Sequence, residues 1–402
     1  MFALVAAAAA AAAVSQDQAA LRRTGCGVDD EVLVRLAGGT PVTPRFAFDG
    51  ICYKVAAAID GRVVEGYLPA AAMQGLDGFE SARRAARETE VPRSAPAVPA
   101  PRELVSGVPA NHPVAEAARL LETNQPAQAL TRLEGLIQMH GRQARLLAIA
   151  GFAAYQGDDL RRAMEYWKES LEKEPNPSVE RLLQRARKEF QTDGSTGKKY
   201  GSRFVLRYDE TKLDSETARG ILAVLEEEYA RVSYELGCRV EERLTAVVQP
   251  LDAYRRSTDA AVWSGGQFDG RIRVAMIEAT PGEATRRAFA HEIVHACLAG
   301  LGKYPAWLHE GLAQRMTGDR LTPATSAAIK TAVRSGAVPR LERIGQDWSR
   351  MSTKHAALAY GMALHAVDLL YLHYPAYGIR NLLRNPQVLD QITVDLNRRL
   401  ME

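Results

Sequence analysis

Two histidines four residues apart, His291 and His295, have the spacing needed to hold one metal ion together. On an α-helix, positions i and i+4 lie on one face, so both imidazoles can point at the same ion. Glu292 lies one position further round the helix, where its carboxylate can act on a water molecule held by that ion. The apolar residues Ile293 and Val294 predict that the helix is buried. In the alternative, the two histidines and the glutamate only satisfy one another inside a buried helix.

A carboxylate follows this motif after one short turn. Gly302 is expected to end the first helix, and Pro305 is well placed to open the next one. Glu310 lies in that second helix and is preceded by His309, and both could complete the site. Adjacent residues on a helix point about 100° apart, so only one of them can easily face the ion. Two histidines with one carboxylate form a catalytic zinc set that leaves a coordination position for water, whereas structural sites are closed by four protein ligands.

The second helix carries the run Trp307-Leu308-His309-Glu310-Gly311-Leu312-Ala313. Together with the first motif, this run resembles the gluzincin peptidases. It is more similar to the bacterial peptidase-MA-like domains, in which the active helix is followed by a Trp-Leu-x-Glu-Gly-Leu-Ala helix. The resemblance covers about residues 200–385 and favours Glu310 over His309. It implies that three residues bind Zn²⁺ and that Glu292 is the general base of peptide hydrolysis. The implied ligands are His291, His295 and Glu310.

Two details follow from the resemblance. A metzincin site is set aside, because it needs a histidine six residues after His295, where this sequence has Leu301. Tyr360, in Ala359-Tyr360-Gly361, matches a Tyr-Gly that opens a later helix of the family. By that match, Tyr360 is the expected catalytic donor to the oxyanion. The alternative is that it only packs in an amphipathic helix.

Asp269-Gly270 is the strongest hairpin signal in the chain, and it joins two strand-like runs, 261–268 and 271–276. Peptidases commonly hold the substrate backbone as a strand added to a sheet edge. Gly265 and Gly266 lack side chains and would let another chain approach closely. In the family an edge strand of this kind lies beside the zinc, so both glycines are predicted to bind substrate. The alternative is a bulge that relieves strand twist.

The remaining pattern of residues 200–402 is mixed. Strands are predicted at Phe204–Tyr208 and Leu244–Val248, and a long helix over Ser215–Leu236 with Ser215 as its cap. Helices are predicted from the hairpin to the end of the chain. By the resemblance, residues 200–402 form an α+β zincin-like metallopeptidase domain of the peptidase-MA-like family.

Residues 113–191 are predicted to be helical and to contain a repeat. Ala163 lies 34 residues after Ala129, and Leu133 and Trp167 share that offset. The pattern resembles a pair of tetratricopeptide repeats, which are helix-turn-helix units of that period. A third helix, over 178–190, would cap the stack. The repeats either bind a partner or serve only as a scaffold that packs on its neighbour.

The N-terminal third combines a β-rich segment with a linker. In residues 26–80, a turn at 38–41, a strand-like run at 51–55 and a hairpin at Asp60-Gly61 resemble a bacterial SH3-like domain. Such domains are often small binding modules of envelope enzymes, and a β-rich appendage without a ligand is the alternative. Residues 81–112 are rich in Ala, Pro and Arg and are predicted to form a flexible, partly extended linker.

The first residues and the cysteines indicate the cellular compartment of the protein. Phe2–Val14 is one apolar run followed by Ser15, so residues 1–15 are predicted to be a signal peptide and the protein periplasmic or secreted. No Lys or Arg precedes the run, and a low-complexity helical tail or a misassigned start is the alternative. Cys26 and Cys52 are the best candidates for a disulfide, which suits export. Cys238 and Cys297 either pair or remain buried thiols.

The composition is that of an ordinary globular chain, with 47% hydrophobic and 25% charged residues. A net charge of +3 provides no overall electrostatic case for a nucleic-acid partner, and no transmembrane span is expected in the mature chain. The expected fold class is multidomain: a small all-β SH3-like barrel, an α-helical repeat pair and the α+β zincin-like domain. The leading hypothesis is an exported zinc metallopeptidase acting on a peptide or protein, with a protein or cell-wall partner for its modules. The alternatives are a non-catalytic envelope adaptor and a zinc amidase acting on peptidoglycan peptides.

Overall fold

A computed structural model gives the fold of the chain, which is mixed α/β and mainly helical. It describes residues 12–23, 26–27, 30–48, 52–80, 93–95, 104, 112–192, 196–258, 264–276, 282–336, 340–344, 353–374 and 378–400. The chain divides into two compact units, Met1–Val91 and Pro92–Glu402. Among the helices in the described ranges, none is both long enough and apolar enough to cross a bilayer.

The first unit is built from two antiparallel sheets. The larger sheet has the strand order β3-β2-β6-β5-β4, and β1 pairs with β7 in the smaller one. The strands are β1 Ala13–Val14, β2 Ala19–Arg22, β3 Val32–Leu36, β4 Val42–Phe48, β5 Cys52–Ile59, β6 Arg62–Pro69 and β7 Met73–Gln74. The predicted hairpin is confirmed, because Asp60 (φ 48°) and Gly61 (φ 74°) form the turn between β5 and β6. The predicted disulfide between Cys26 and Cys52 is also confirmed.

The sheets of this unit begin before residue 26, where the β-rich segment was expected to start. The β1 strand pairs with β7, and the main-chain N–H of Val14 donates to Thr40 at 2.9 Å. Val14 is 1% exposed and packs in the core of the unit. The predicted signal peptide therefore overlaps the described part of this unit at residues 12–15, which include β1, and its residues 1–11 lie outside the described part of the chain.

The helices expected over residues 113–191 are confirmed, and they are consecutive. They are α1 Pro113–Glu122, α2 Pro126–His140, α3 Ala144–Gln156, α4 Leu160–Lys173 and α5 Pro177–Thr192. Ala129 and Ala163, which mark the 34-residue offset, are both fully buried. A Cβ atom at Gly151 would lie 2.5 Å from the Trp167 ring, so the close packing of α3 on α4 depends on this glycine.

The second unit also contains a six-stranded mixed sheet with the order β8-β12-β13-β11-β10-β9. Its strands are β8 Arg93–Ala95, β9 Thr196–Tyr200, β10 Phe204–Asp209, β11 Leu244–Pro250, β12 Ser264–Phe268 and β13 Ile272–Met276. The predicted strands in 200–250 and the hairpin around Gly270 (φ 93°) are confirmed. The central strands β10, β11 and β13 run parallel to one another.

Helices pack against this sheet and continue to the end of the described chain. They are α6 Ser215–Leu236, α7 Leu251–Ser257, α8 Glu283–Leu301, α9 Ala306–Met316, α10 Pro323–Arg334, α11 Thr353–His373, α12 Gly378–Leu383 and α13 Pro386–Arg399. Ser215 is not the cap of α6; the side chain of Asp214 accepts from the N–H groups of Glu216 and Thr217. Cys238, which follows α6, forms a disulfide with Cys297 of α8.

The strand β8 lies where an open sheet edge was expected. It pairs in parallel with β12, with Arg93 opposite Ser264 and Ser94 opposite Gly266. The register shifts between Ser264 and Gly266, so Gly265 is the extra residue of a bulge. Of the linker predicted over residues 81–112, the structure describes 93–95, 104 and 112.

A buried ionic network attaches the helix α5 and the turn between α3 and α4 to the sheet. Its arginines are Arg185, Arg207, Arg271 and Arg273, and its carboxylates are Asp158, Glu189 and Asp269. Glu189 of α5 is 0% exposed and accepts from Arg207 Nη2 at 2.6 Å and Arg273 Nη2 at 2.7 Å. Arg271 donates to the same carboxylate at 3.0 and 3.1 Å. Arg185 donates to Asp269 in the β12–β13 turn, so α5 holds both the turn and the sheet.

Candidate metal centre

The two motif helices are buried and joined by a short turn. Gly302, at φ 154°, ends α8 by donating its N–H to Leu298. Pro305 is the cap residue of α9, as its position after the glycine predicted. The side chains of Ile293 and Trp307 are 0% exposed and belong to the core of the second unit. A rigid, buried helix pair therefore carries the polar residues of both motifs.

The structure brings His291 and His295 together, as their spacing predicted, and places Glu310 beside them, the residue that the family resemblance favoured. His291 Nε2 lies 3.2 Å from Glu310 Oε2, and His295 Nε2 lies 3.4 Å from Glu310 Oε1. One ligand atom from each residue lies within 4.8 Å of the others, and all three residues are buried. The second carboxylate of the motif, Glu292, is 0% exposed on the same helix.

The distances between the candidate ligand atoms match those expected around a bound metal ion. Ligand atoms about 2.0–2.1 Å from a tetrahedral ion are about 3.3 Å apart, which is close to the two observed N–O distances. Among the described atoms, His295 Nε2 is buried without a hydrogen-bond partner, which is costly unless an ion fills that role. The donor set of two imidazoles and one carboxylate is also typical of catalytic zinc. The three residues therefore fit a metal ion.

Burial is the largest single influence on the pKa values of His291, His295 and Glu310. It lowers the pKa of His295 well below the ordinary range, with the neighbouring His291 and His309 adding to the effect. It raises the pKa of Glu310. At His291, burial opposes protonation, but the hydrogen bond and charge of Glu310 outweigh it, so the pKa of His291 is raised. Metal binding requires these groups to be deprotonated, so metal affinity should fall as the pH falls.

His309 does not face the cluster as a ligand. It contacts the Nδ1 side of the His295 ring, whereas Nε2 of His295 faces Glu310. The two Nδ1 atoms lie 3.4 Å apart, and the rings are stacked with centroids 5.6 Å apart. Burial lowers the pKa of His309 to about 4, so its imidazole is neutral near pH 7 and can accept a hydrogen bond. If Nε2 of His295 held an ion, its Nδ1 would carry the proton and could donate a hydrogen bond to Nδ1 of His309.

His309→Ala is therefore expected to weaken metal binding by about 10- to 100-fold, because the orientation and tautomer of His295 are no longer fixed. His309→Asn is the control, since its amide oxygen can accept the same bond. The measurement is the dissociation constant for Zn²⁺ in competition with a chromogenic chelator. Equal affinities for both variants and the wild type would contradict this role of His309.

Gly311, which follows the candidate ligand Glu310, permits close contact between α9 and α11. A Cβ atom at this position would lie 2.3 Å from the main-chain oxygen of Ala363 and 2.5 Å from Val367. Gln314 strengthens the same contact by donating from Nε2 to the main-chain oxygen of Tyr360 at 2.8 Å. The packing of these two helices therefore sets the position of Glu310.

Gly311→Ala should separate α9 from α11, destabilise the chain by about 1–3 kcal/mol and weaken Zn²⁺ binding, because Glu310 moves with α9. Gly220→Ala in α6 is the matched control, because nothing lies within 4 Å of a Cβ atom there. Removing that glycine from a helix interior should stabilise by about 0.4–1 kcal/mol. Urea unfolding and zinc titration measure both effects. A Gly311→Ala chain as stable as the Gly220→Ala chain would exclude the close contact.

The other predicted site residues lie on neighbouring elements. Tyr360 lies on α11 and is 2% exposed. Its role as an oxyanion donor stays a prediction. Gly265 and Gly266 are buried in β12, one strand in from the edge. The helix α8, which carries His291 and His295, contacts β12, β13 and β8.

Two residues near the cluster, Arg287 and Asp319, were not predicted as site residues. Arg287 forms an ion pair with Asp319, whose charge also raises the pKa of His291. Arg287 lies four residues before His291, and this helical spacing was a signal available in the sequence. The contact of His309 with His295 carries no such signal, because it depends on how α9 returns against α8.

Comparison of the chain with protein-family models, with curated proteins and with solved structures found no match.

Proposed function

We propose that the chain is a zinc metallopeptidase whose metal is held by His291, His295 and Glu310. The observation that carries the proposal is the buried cluster of these three residues, with N–O separations of 3.2 and 3.4 Å. Three protein ligands leave room for a water molecule at a tetrahedral ion, which is the arrangement of catalytic rather than structural zinc. When bound, the ion lowers the pKa of its water to about 7 and polarises a carbonyl group.

The residues of the chain have distinct roles in this proposal. The ion would be held by His291, His295 and Glu310. His309, by accepting a hydrogen bond from Nδ1 of His295, would leave Nε2 of His295 free to bind the ion. Glu292, on the same helix, accepts the proton of the attacking water and delivers it to the leaving amine as the peptide bond breaks. Tyr360 is proposed to donate its phenol proton in a hydrogen bond to the oxyanion.

The surrounding units are proposed to belong to known module types. The β-sheet unit within residues 12–80 is proposed to be SH3-like, and α1 to α5 tetratricopeptide-like repeats. Residues 200–402 are proposed to be zincin-like. A periplasmic or secreted location is supported by the two disulfides, because such bonds persist in oxidising compartments. A protein or cell-wall ligand is proposed for the first unit.

The test of the proposal is hydrolysis of an unfolded polypeptide by the zinc-loaded full chain. Purified peptidoglycan is the second substrate, so that a peptidase is separated from a cell-wall amidase. We expect new amino termini from the polypeptide, loss of the reaction on chelation, and recovery when Zn²⁺ is restored. Release of stem peptides from peptidoglycan alone would replace the proposed peptidase with the amidase. No hydrolysis of either substrate would overturn the catalytic function.

A further inference from the structure

The outer edge of β12 is occupied by another part of the same chain. Arg93, Ser94 and Ala95 pair in parallel with Ser264, Gly266 and Gln267. The prolines that flank the segment in sequence, Pro92 and Pro96, lack an N–H group and cannot donate to a ladder. The described pairing covers the three residues between these prolines.

This strand lies against the helix that carries the metal cluster. The helix α8 contacts β8 as well as β12 and β13. His291 and His295 lie on that helix. An extended segment at this edge therefore passes beside the helix that carries two of the proposed metal ligands. A polypeptide substrate must come within reach of the cluster in an extended form, and the edge of β12 offers it main-chain hydrogen bonds.

We propose that Arg93–Ala95 is an internal, inhibitory occupant of the outer edge of β12, the edge at which the predicted role of Gly265 and Gly266 places an extended polypeptide substrate. The inference rests on the proposed peptidase function. One strand edge pairs with one strand at a time, so substrate binds only after the internal segment leaves. The bulge at Gly265 lies on this edge, as the alternative for the glycine pair predicted, and the role of the pair in substrate binding stays a prediction.

The segment is suited to reversible occupancy. It pairs over three residues, so it contributes few main-chain hydrogen bonds. Its covalent attachment gives it an effective concentration of about millimolar, which is enough for a weak strand to compete with a dilute substrate. We therefore expect a displaceable inhibitor whose removal increases peptide binding by roughly ten-fold rather than an irreversible block.

The test uses the double substitution Arg93→Pro and Ser94→Pro in the full chain. Successive residues of a strand point their N–H groups to opposite sides, so one of two adjacent prolines removes a donor to β12. The matched control is Arg93→Val with Ser94→Val, which removes the same two side chains but keeps both N–H groups and favours a strand. The probe is a fluorescein-labelled peptide with the sequence of residues 89–99, and its dissociation constant is measured by fluorescence anisotropy.

The proline chain should bind the probe roughly ten-fold more tightly than the wild type, and the valine chain no more tightly than the wild type. The kcat/KM for an unfolded polypeptide should rise by a similar factor in the proline chain. Equal probe affinities in the wild type, proline and valine chains would overturn the proposal even if all three hydrolyse peptides. Tighter probe binding by the proline chain without hydrolysis by any chain would support the strand site and refute the peptidase function.

Discussion

Glu292→Gln is expected to slow peptide hydrolysis by about 10²- to 10⁴-fold, because the variant lacks the carboxylate that accepts the proton of the attacking water. Glutamine has nearly the same size and shape, so the buried position at α8 is filled without a cavity. The residue is not one of the three that cluster as ligands, so the variant should retain its metal. The initial rate of cleavage of a quenched fluorescent peptide, at equal zinc loading, measures the effect.

The control for this variant is His295→Ala, which should lose hydrolysis and zinc together. The two variants separate the proton-transfer step from metal binding, since only the second removes a ligand. A Glu292→Gln chain that hydrolyses the peptide within ten-fold of the wild-type rate would show that another residue is the base.

Glu189→Gln is expected to have the largest effect on stability. The carboxylate of Glu189 is 0% exposed and compensates the charges of three arginines of the sheet. Neutralising it leaves those guanidinium groups buried with less compensation, and breaking a buried ion pair in this way costs about 3–5 kcal/mol. The free energy of unfolding in urea should fall by that amount. Glu165→Gln, the same change at an exposed position of α4, should alter it by less than about 0.5 kcal/mol.

The effect should depend on pH in a defined direction. Burial opposes the charge of Glu189, but Arg271, Arg273 and Arg207 outweigh it and hold the pKa well below its ordinary 4.5. The unfolded chain therefore takes up the proton first, and the stabilisation is present above about pH 4.5 and lost as the pH falls below it. The difference between wild type and Glu189→Gln should shrink on acidification. A difference that is already below about 1 kcal/mol at pH 7 would show that the network contributes little.

The ligand cluster could be predicted because its geometry is mostly local. The face shared by His291 and His295 follows from helical periodicity, and Gly302 and Pro305 mark the turn that brings Glu310 back. The helices of residues 113–191, the helix α6 and the strands β10 and β11 followed from the same kind of periodic pattern, whereas β9 was not predicted. Short-range spacing thus brought the two motifs together, whereas the choice of Glu310 over His309 came from the family resemblance.

The features that depend on long-range packing could not be predicted. Arg271 and Arg273 alternate in a hairpin and have the pattern of a solvated face, yet both are fully buried by contacts with Glu189, more than 80 residues earlier in the chain. Arg93–Ala95 is too short and too polar to have the sequence pattern of a strand. The strand β12, with which it pairs, lies far later in the chain. Only the assembled sheet identifies these contacts.

The metal content of the purified full chain tests the central claim most directly. After equilibration with Zn²⁺ and removal of the excess, inductively coupled plasma mass spectrometry should find about one zinc per chain in the wild type, because a three-ligand site holds one ion. It should find the same in Glu292→Gln and close to none in His295→Ala. A wild-type chain that retains no zinc, or a His295→Ala chain that retains as much as the wild type, would contradict the assignment of the site.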